Sequence, residues 1–382
     1  MNVLLLSRSS FVDSFLPLYN AYTKKSDVKV TGVIVLGSLN TPLFSIKKRL
    51  KYPGIIKAKK YSEISIYEKY TSLDNLFFLN NAFGRFHFLS SLISIVSLLL
   101  FIIRGKYDVI HCDFAYNGWF NFLYLFKNKT VRTQHDPFPH TGEGWNENTK
   151  RTLEEANRKI IKTVILNKSQ YKEFCDYNKK NPEDVLVNRL GVYDYLSIFD
   201  TEVVKEDPNC ILYFGRLSKY KGLENLCKAM VIAHEQNPNL KVVIAGSGRF
   251  DFDISDYKDL PYFQIINKFL GLDELASLIK KAAVISCVYT DATQSGVMLT
   301  SFAMGKPVIA SNIDTMREIV DDGQSGVLVE PDNPKALAEA VVKVLNNESL
   351  RVEMKQYIQE LYTTGNRSWD NIVTKYLEFY KK

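Results

Sequence analysis

The chain has 382 residues, 46% hydrophobic and 24% charged, with a formal net charge of +7. That length implies two domains with ample apolar content for packed cores, and the absence of low-complexity tracts and repeats excludes a disordered or solenoid protein. Cys112, Cys175, Cys210, Cys227 and Cys287 are odd in number, scattered and never spaced as CxxC, which indicates neither a disulfide framework nor a zinc site and fits buried thiols in a reducing compartment.

The opening MNVLLLSRSS has no basic segment ahead of its short apolar run, so it predicts a first strand at Val3–Leu6 instead of a signal peptide, and a cytoplasmic location. A helix is expected over about 15–25 and a strand at Val28–Leu36. Charge is uneven: residues 1–110 carry 15 Lys and Arg against 6 Asp and Glu, a net of +9. The densest stretch, 43–60, sets Lys47, Lys48, Arg49, Lys51, Lys57, Lys59 and Lys60 among Leu43, Phe44, Ile46, Leu50, Tyr52, Ile55 and Ile56. Such a segment suits an anionic membrane surface, or equally a solvated basic loop or helix face. Nucleic acid fits less well, because no recognition fold or aromatic platform accompanies the charge.

Residues 88–103, FLSSLISIVSLLLFII, are uncharged and slightly short of the roughly 20 apolar residues a bilayer span needs. Ser90, Ser94 and Ser97 recur at helical spacing, and the expectation is a helix buried between sheet and surface, ahead of a monotopic membrane helix. A strand Val109–Cys112, a helix over about 116–126 and a strand Thr130–Thr133 follow. Alternating strands and helices imply a parallel sheet whose active loops sit at the carboxyl ends of its strands. Those loops include Ser7-Arg8-Ser9-Ser10, which lacks paired glycines, then His111-Cys112-Asp113, and TQHDPFPHTGEG with His135, Asp136, His140 and Glu143. Their spacing defines no tetrahedral metal set.

Past Gly191, the polar stretch 201–209 reads as a linker. The strand Ile211–Phe214 then runs into Gly215-Arg216 and Lys221-Gly222, where a planar guanidinium and a compact ammonium would clamp a diphosphate. A second strand ends in Ala245-Gly246-Ser247-Gly248. In YTDATQSGVMLTSFAMGKP, Thr293, Gln294, Ser295 and Gly296 open a helix whose free amides and dipole favour an anion, unless they merely cap a core helix. Three glycine-marked strand ends in order point to one crevice that binds a nucleoside diphosphate. The terminal SWDNIVTKYLEFYKK is an amphipathic helix capped by Ser368.

GRLSKYKG, AGSG, QSGVMLTSFAMGKPVIAS and the following Glu318-Ile319-Val320-Asp321-Asp322-Gly323 together resemble the retaining glycosyltransferases of family 4, in a TQSGV-type variant. The resemblance is strong over about 205–347 and weaker in the amino half. It implies an α/β protein of the GT-B fold: two Rossmann-like doubly wound parallel-sheet domains facing a central cleft, with a C-terminal helix crossing back to the first. The corresponding divisions are 1–200 for the acceptor, 201–364 for the nucleotide sugar, and 365–382 for the returning helix. The activity implied is retaining transfer of a sugar from a nucleoside diphosphate, of UDP or GDP type, to a glycan or lipid-linked acceptor in cell-surface polysaccharide or glycolipid synthesis. It calls for no metal or other cofactor, and places the enzyme in the cytoplasm, peripheral to the inner face of the membrane.

In the family, Arg216 and Lys221 would hold the diphosphate. Gly215, Gly246, Gly248, Asp291, Thr293, Gln294, Ser295, Gly296, Val297 and Thr300 would surround the nucleotide sugar. TQHD resembles a segment whose histidine lies beside the transferred sugar, which assigns His135 to the catalytic site and His111, Asp136, His140 and Glu143 to lesser acceptor or sugar contacts. One departure matters: the family's two glutamates, eight residues apart, are replaced by Ala292 and Thr300, leaving Asp291 as the nearest carboxylate. A nucleotide-sugar binding or partner subunit without turnover, or another GT-B enzyme such as a nucleotide-sugar epimerase, is the alternative.

Overall fold

The computed structural model describes residues 1–36, 52–81, 88–139, 145–292 and 294–382. The chain divides into two compact units, Met1–Gly191 with Trp369–Lys382, and Val192–Ser368.

The first unit is built on strands β1 (Asn2–Arg8), β2 (Lys29–Val35), β3 (Gly54–Lys57), β4 (Leu76–Asn80), β5 (Val109–Cys112), β6 (Thr130–Gln134), β7 (Lys162–Ile165) and β8 (Val185–Val187). They form one sheet in the order β3-β4-β2-β1-β5-β6-β7-β8. Every pairing is parallel except β3 with β4. Val3, Leu4, Leu5 and Leu6 of the central strand are all buried, as a strand covered on both faces requires. The antiparallel edge strand β3 falls inside the basic stretch that reads from sequence as a loop or helix face. It reverses through Gly54 at φ +108° and carries Ile55, Ile56 and Lys57. Lys47, Lys48, Arg49 and Lys51 lie outside the described residues.

Two helical expectations change. The segment expected as a helix over 116–126 is a 3₁₀ run, Gly118–Lys129. Phe120, Phe122, Leu123, Tyr124 and Phe126 all pack on the core, so no 3.6-residue stripe exists to favour an α-helix. The helix Phe88–Gly105 forms, yet it turns its serines inward: Ser90, Ser91, Ser94, Leu98 and Ile102 are its buried residues. Ser94 Oγ donates to Asn80 O at 2.8 Å and Ser97 Oγ accepts from Ile55 N at 2.9 Å, so the hydroxyls tie the helix to β3 and the end of β4. The expected burial of its aliphatic side chains is overturned, because edge-strand backbone groups claim the serine face.

The terminal helix Trp369–Lys381 belongs to the first unit. Asn188 Nδ2 donates to Ile372 O at 3.1 Å, Lys25 pairs with Asp370 at 2.6 Å, and the hydroxyls of Tyr22 and Tyr380 meet at 2.7 Å.

The second unit's sheet consists of β9 (Asp207–Phe214), β10 (Lys241–Gly246), β11 (Phe263–Asn267), β12 (Ala282–Cys287), β13 (Val308–Ser311) and β14 (Gly326–Val329). Its order is β11-β10-β9-β12-β13-β14, wholly parallel. The chain winds outward from β9 in one direction and from β12 in the other, so the strand order reverses between these two neighbours; ligands of open α/β sheets bind at that point. The unit begins at Val192, ahead of the expected 201–209 linker, because Tyr193 N donates to Leu299 O at 3.3 Å and Tyr195 and Leu196 are buried in its core.

Candidate functional site

In the second unit the three glycine-marked loops meet at the carboxyl ends of β10, β9 and β12. Gly215, at φ +127°, lets the chain leave β9 with its amide bonded to Ala245 O at 3.0 Å. A Cβ at Gly246 would stand 1.7 Å from Gly215 O, and one at Gly215 would lie 3.3 Å from Val297 Cγ2. Backbone thus approaches backbone between the first two loops, and the start of the helix Gly296–Ala303 closes against them. Leu217 and Gly248 continue the contact as a β-bridge.

Lys221 ends a 3₁₀ turn, and Gly222, left-handed at φ +67°, then starts the helix Leu223–Gln236. Its ammonium sits 3.5 Å from the centre of the Tyr289 ring and 4.8 Å from that of Tyr220. The residue is buried, and among the described residues no carboxylate pairs with it. Burial, with the Arg216 charge adding to it, lowers its pKa to about 8. A buried cation held between ring faces without a counter-ion is half of an ion pair whose anion arrives as ligand. Arg216 is exposed beside it.

Ser295 caps the helix Gly296–Ala303, its hydroxyl accepting from Met298 N at 3.3 Å and lying 3.4 Å from Tyr289 OH. A Cβ on Gly296 would reach the Tyr193 ring at 3.1 Å. Thr300 Oγ1 donates to Gly296 O at 2.8 Å, leaving only its acceptor capacity for a ribose. Ala292 is buried, Asp291 and Gln294 border the turn, and Thr293 is outside the described residues.

In the first unit, sequence reasoning placed His111 and His135 alike at strand ends, and the structure separates them. His111 Nδ1 meets Tyr380 OH at 2.5 Å and its Nε2 meets Thr133 Oγ1 at 2.7 Å. Both nitrogens are hydrogen-bonded within the protein, and burial drives its pKa down to about 3, so the imidazole is neutral. His135 instead stacks on Phe11 with ring centres 4.3 Å apart, and among the described residues its buried Nε2 has no hydrogen-bond partner. Burial lowers its pKa to about 4, the nearby Asp136 only partly opposing this, so it meets a ligand as a neutral imidazole. Gln134 Nε2 donates to Asp136 O at 3.1 Å and shapes that turn. His140 and Glu143 lie outside the described residues.

Asp113 is the residue sequence reasoning passed over, although it follows β5 directly. Ser7 Oγ donates to its Oδ2, while its buried Oδ1 has no hydrogen-bond partner among the described residues. Burial raises its pKa to about 7, with the Ser7 bond and the Arg8 charge acting in the opposite sense. Asp113, His135 and His111 line one small cavity of about 30 Å³, with Ser14, Leu190 and Tyr376. Its signal was a lone carboxylate at the end of a buried strand, which spacing alone does not distinguish from a cap.

Comparison with known proteins agrees with this arrangement. Residues 196–361 match the family described as glycosyl transferases group 1. The chain is 29% identical over 309 residues to an uncharacterized glycosyltransferase of Methanocaldococcus jannaschii, covering 72% of this chain and 75% of that one. It is 28% identical over 284 residues to a D-inositol 3-phosphate glycosyltransferase of Paenarthrobacter aurescens, covering 66% and 67%. The crystal structure of HepE from Anabaena in complex with UDP-glucose superposes with a TM-score of 0.64 at 14% identity, over 100% of this chain and 98% of that one, which shows a shared fold. The two parallel-sheet units are those of the GT-B fold, and the family match and relatives support a GT-B glycosyltransferase.

Proposed function

We propose that the protein is a retaining glycosyltransferase of the TQSGV-type family 4 that uses a nucleoside-diphosphate sugar. The observation that carries this is Lys221, a buried ammonium without a counter-ion, set beside the joined loops of Gly215, Gly246 and Gly248 and the first turn of the helix Gly296–Ala303. Arg216 and Lys221 take the growing negative charge of the departing diphosphate, so no bound cation is called for. Backbone amides of the Ser295-Gly296 turn hold its oxygens. A binding subunit would use the same cation for the bound diphosphate, and turnover separates the two readings. The finding that a UDP-sugar occupies the Anabaena structure supports the donor class.

The first unit receives the acceptor. His135 Nε2 and Asp113 Oδ1 are among the first unit's buried polar atoms without a partner among the described residues, and both residues line one cavity, where an acceptor hydroxyl would serve them. With retention, the leaving phosphate takes the acceptor proton, so His135 positions and polarises instead of serving as a strong base. The acceptor is a glycan, lipid-linked, met at the cytoplasmic face of a membrane in cell-surface polysaccharide or glycolipid synthesis; the net charge of +9 in residues 1–110 supports this. A screen of UDP- and GDP-sugars, read by mass spectrometry with and without glycan acceptors, tests the reading. Free nucleoside diphosphate and a glycosylated product are expected from one donor. Nucleotide binding without turnover would establish a binding subunit, and conversion to an epimeric sugar an epimerase.

A further inference from the structure

The helix Phe88–Gly105 is long and apolar enough to cross a membrane, yet it is bonded along one side to the sheet through Ser90, Ser94 and Ser97. It therefore cannot span. Its outward side presents Leu89, Leu92, Ile93, Val96, Leu100 and Ile103, each between 40% and 58% exposed. These positions recur at helical spacing and make one continuous stripe, where a surface helix of a water-facing protein carries polar residues. At its amino end Phe88 meets Trp119 edge-on with ring centres 5.9 Å apart, both rings substantially exposed. An exposed tryptophan beside such a stripe is the side chain that settles at the level of lipid headgroups.

The charge around this stripe is predominantly positive. Residues 28–62 and 75–107 contain no Asp or Glu at all. Arg104 and Lys106 end the helix, and Lys57 and Lys60 stand exposed on and just after β3, the strand whose Ile55 amide is bonded to Ser97. Between helix and edge strands runs a groove of about 470 Å³ in which Ile55, Phe77, Leu100 and Phe101 meet Arg104. Asp74 pairs with Lys59 at 2.5 Å and leaves Lys57, Lys60, Arg104 and Lys106 as the cations beside the stripe; apolar side chains flanked mainly by cations are complementary to a surface that is oily inside and anionic outside.

We infer that the helix Phe88–Gly105 lies flat in an anionic lipid bilayer surface, its aliphatic stripe among the acyl chains and the Lys and Arg side chains around it at the headgroups. This deepens the lipid-linked acceptor reading by naming the surface that meets the membrane, and it is tested without turnover. The probe is flotation of the full chain with phosphatidylcholine vesicles containing or lacking phosphatidylglycerol. The native protein should float with the anionic vesicles, less at high salt, and weakly with the neutral ones. Ile93→Glu with Leu100→Glu should lower the partition coefficient by about 100-fold, roughly tenfold for each aliphatic side chain kept in water. Lys57→Glu with Lys60→Glu leaves the stripe intact, and should reduce flotation on anionic vesicles only. Circular dichroism and nucleotide affinity should match the native protein for both. Native protein that floats with neither vesicle, or a stripe variant that floats as well as native, would overturn the inference. So would a native dimer, seen by light scattering, that the stripe variant splits, since a second copy would then be the occupant. Failure of the donor screen with flotation intact would sink the transferase reading alone.

Discussion

Replacing Lys221 with Met should make the unliganded protein more stable and the enzyme nearly inactive. The stem and its packing are kept while the charge is removed. Burial lowers the lysine pKa from 10.5 to about 8. That shift corresponds to roughly 3 kcal/mol of strain on the charged form at neutral pH. The Tyr289 and Tyr220 ring faces return about 1–2 kcal/mol of it, so the substitution should stabilise by about 1–2 kcal/mol. For a unit of this size each kcal/mol raises Tm by about 2–4 °C. The pH dependence has a definite sign. Between the folded pKa of about 8 and the usual lysine value of 10.5 the unfolded chain holds a proton that the folded chain lacks. Native stability therefore rises with pH across that window, and the advantage of Met disappears there. With a diphosphate bound, the missing cation costs on the order of 2–4 kcal/mol in the transition state, about a hundredfold or more in kcat/KM. Calorimetric melts at neutral and alkaline pH, nucleotide titration and turnover of the same preparation are the assays. A Met variant with native nucleotide affinity and turnover would refute the role of Lys221; one that is less stable than native at pH 7 would refute the picture of an uncompensated buried charge.

Asp113→Asn should stabilise above neutrality and impair acceptor use. The carboxyl is raised from 3.8 to about 7, so its contribution to stability is fully present below the lower value and lost as pH rises through the upper. A gain on the order of 1–3 kcal/mol is expected at pH 8, with none at pH 3.5, alongside a raised acceptor KM and unchanged donor hydrolysis. Gly191→Ala should loosen the terminal helix, because its Cβ would lie 2.5 Å from the Trp369 ring. Overpacking of this kind costs about 1–3 kcal/mol, and hydrogen exchange should show lost protection over Trp369–Lys381 with nucleotide affinity unchanged.

What the sequence determined by itself is the local grammar. Apolar strands broken by Gly215, Gly246 and the Ser295-Gly296 turn specify parallel strands with functional ends, because only glycine allows φ values of +127° and +156° with backbone so close. Consecutive βα units place β10 beside β9, whereas β12 reaches the other side of β9 only through the reversal of strand order, which tertiary structure sets. Tertiary structure decided the rest, wherever distant residues compete for one side chain. His111 and His135 look alike in sequence, and only the structure shows that Thr133 and Tyr380, the latter 269 residues away, occupy both nitrogens of the first. The serines of the helix Phe88–Gly105 recur at helical spacing in the sequence, but only the edge-strand amide of Ile55 and the carbonyl of Asn80 turn that face inward and the aliphatic side outward. Asp113 and Lys221 carry ordinary side chains; burial without a full set of partners, which no spacing encodes, is what shifts their protons toward neutral pH.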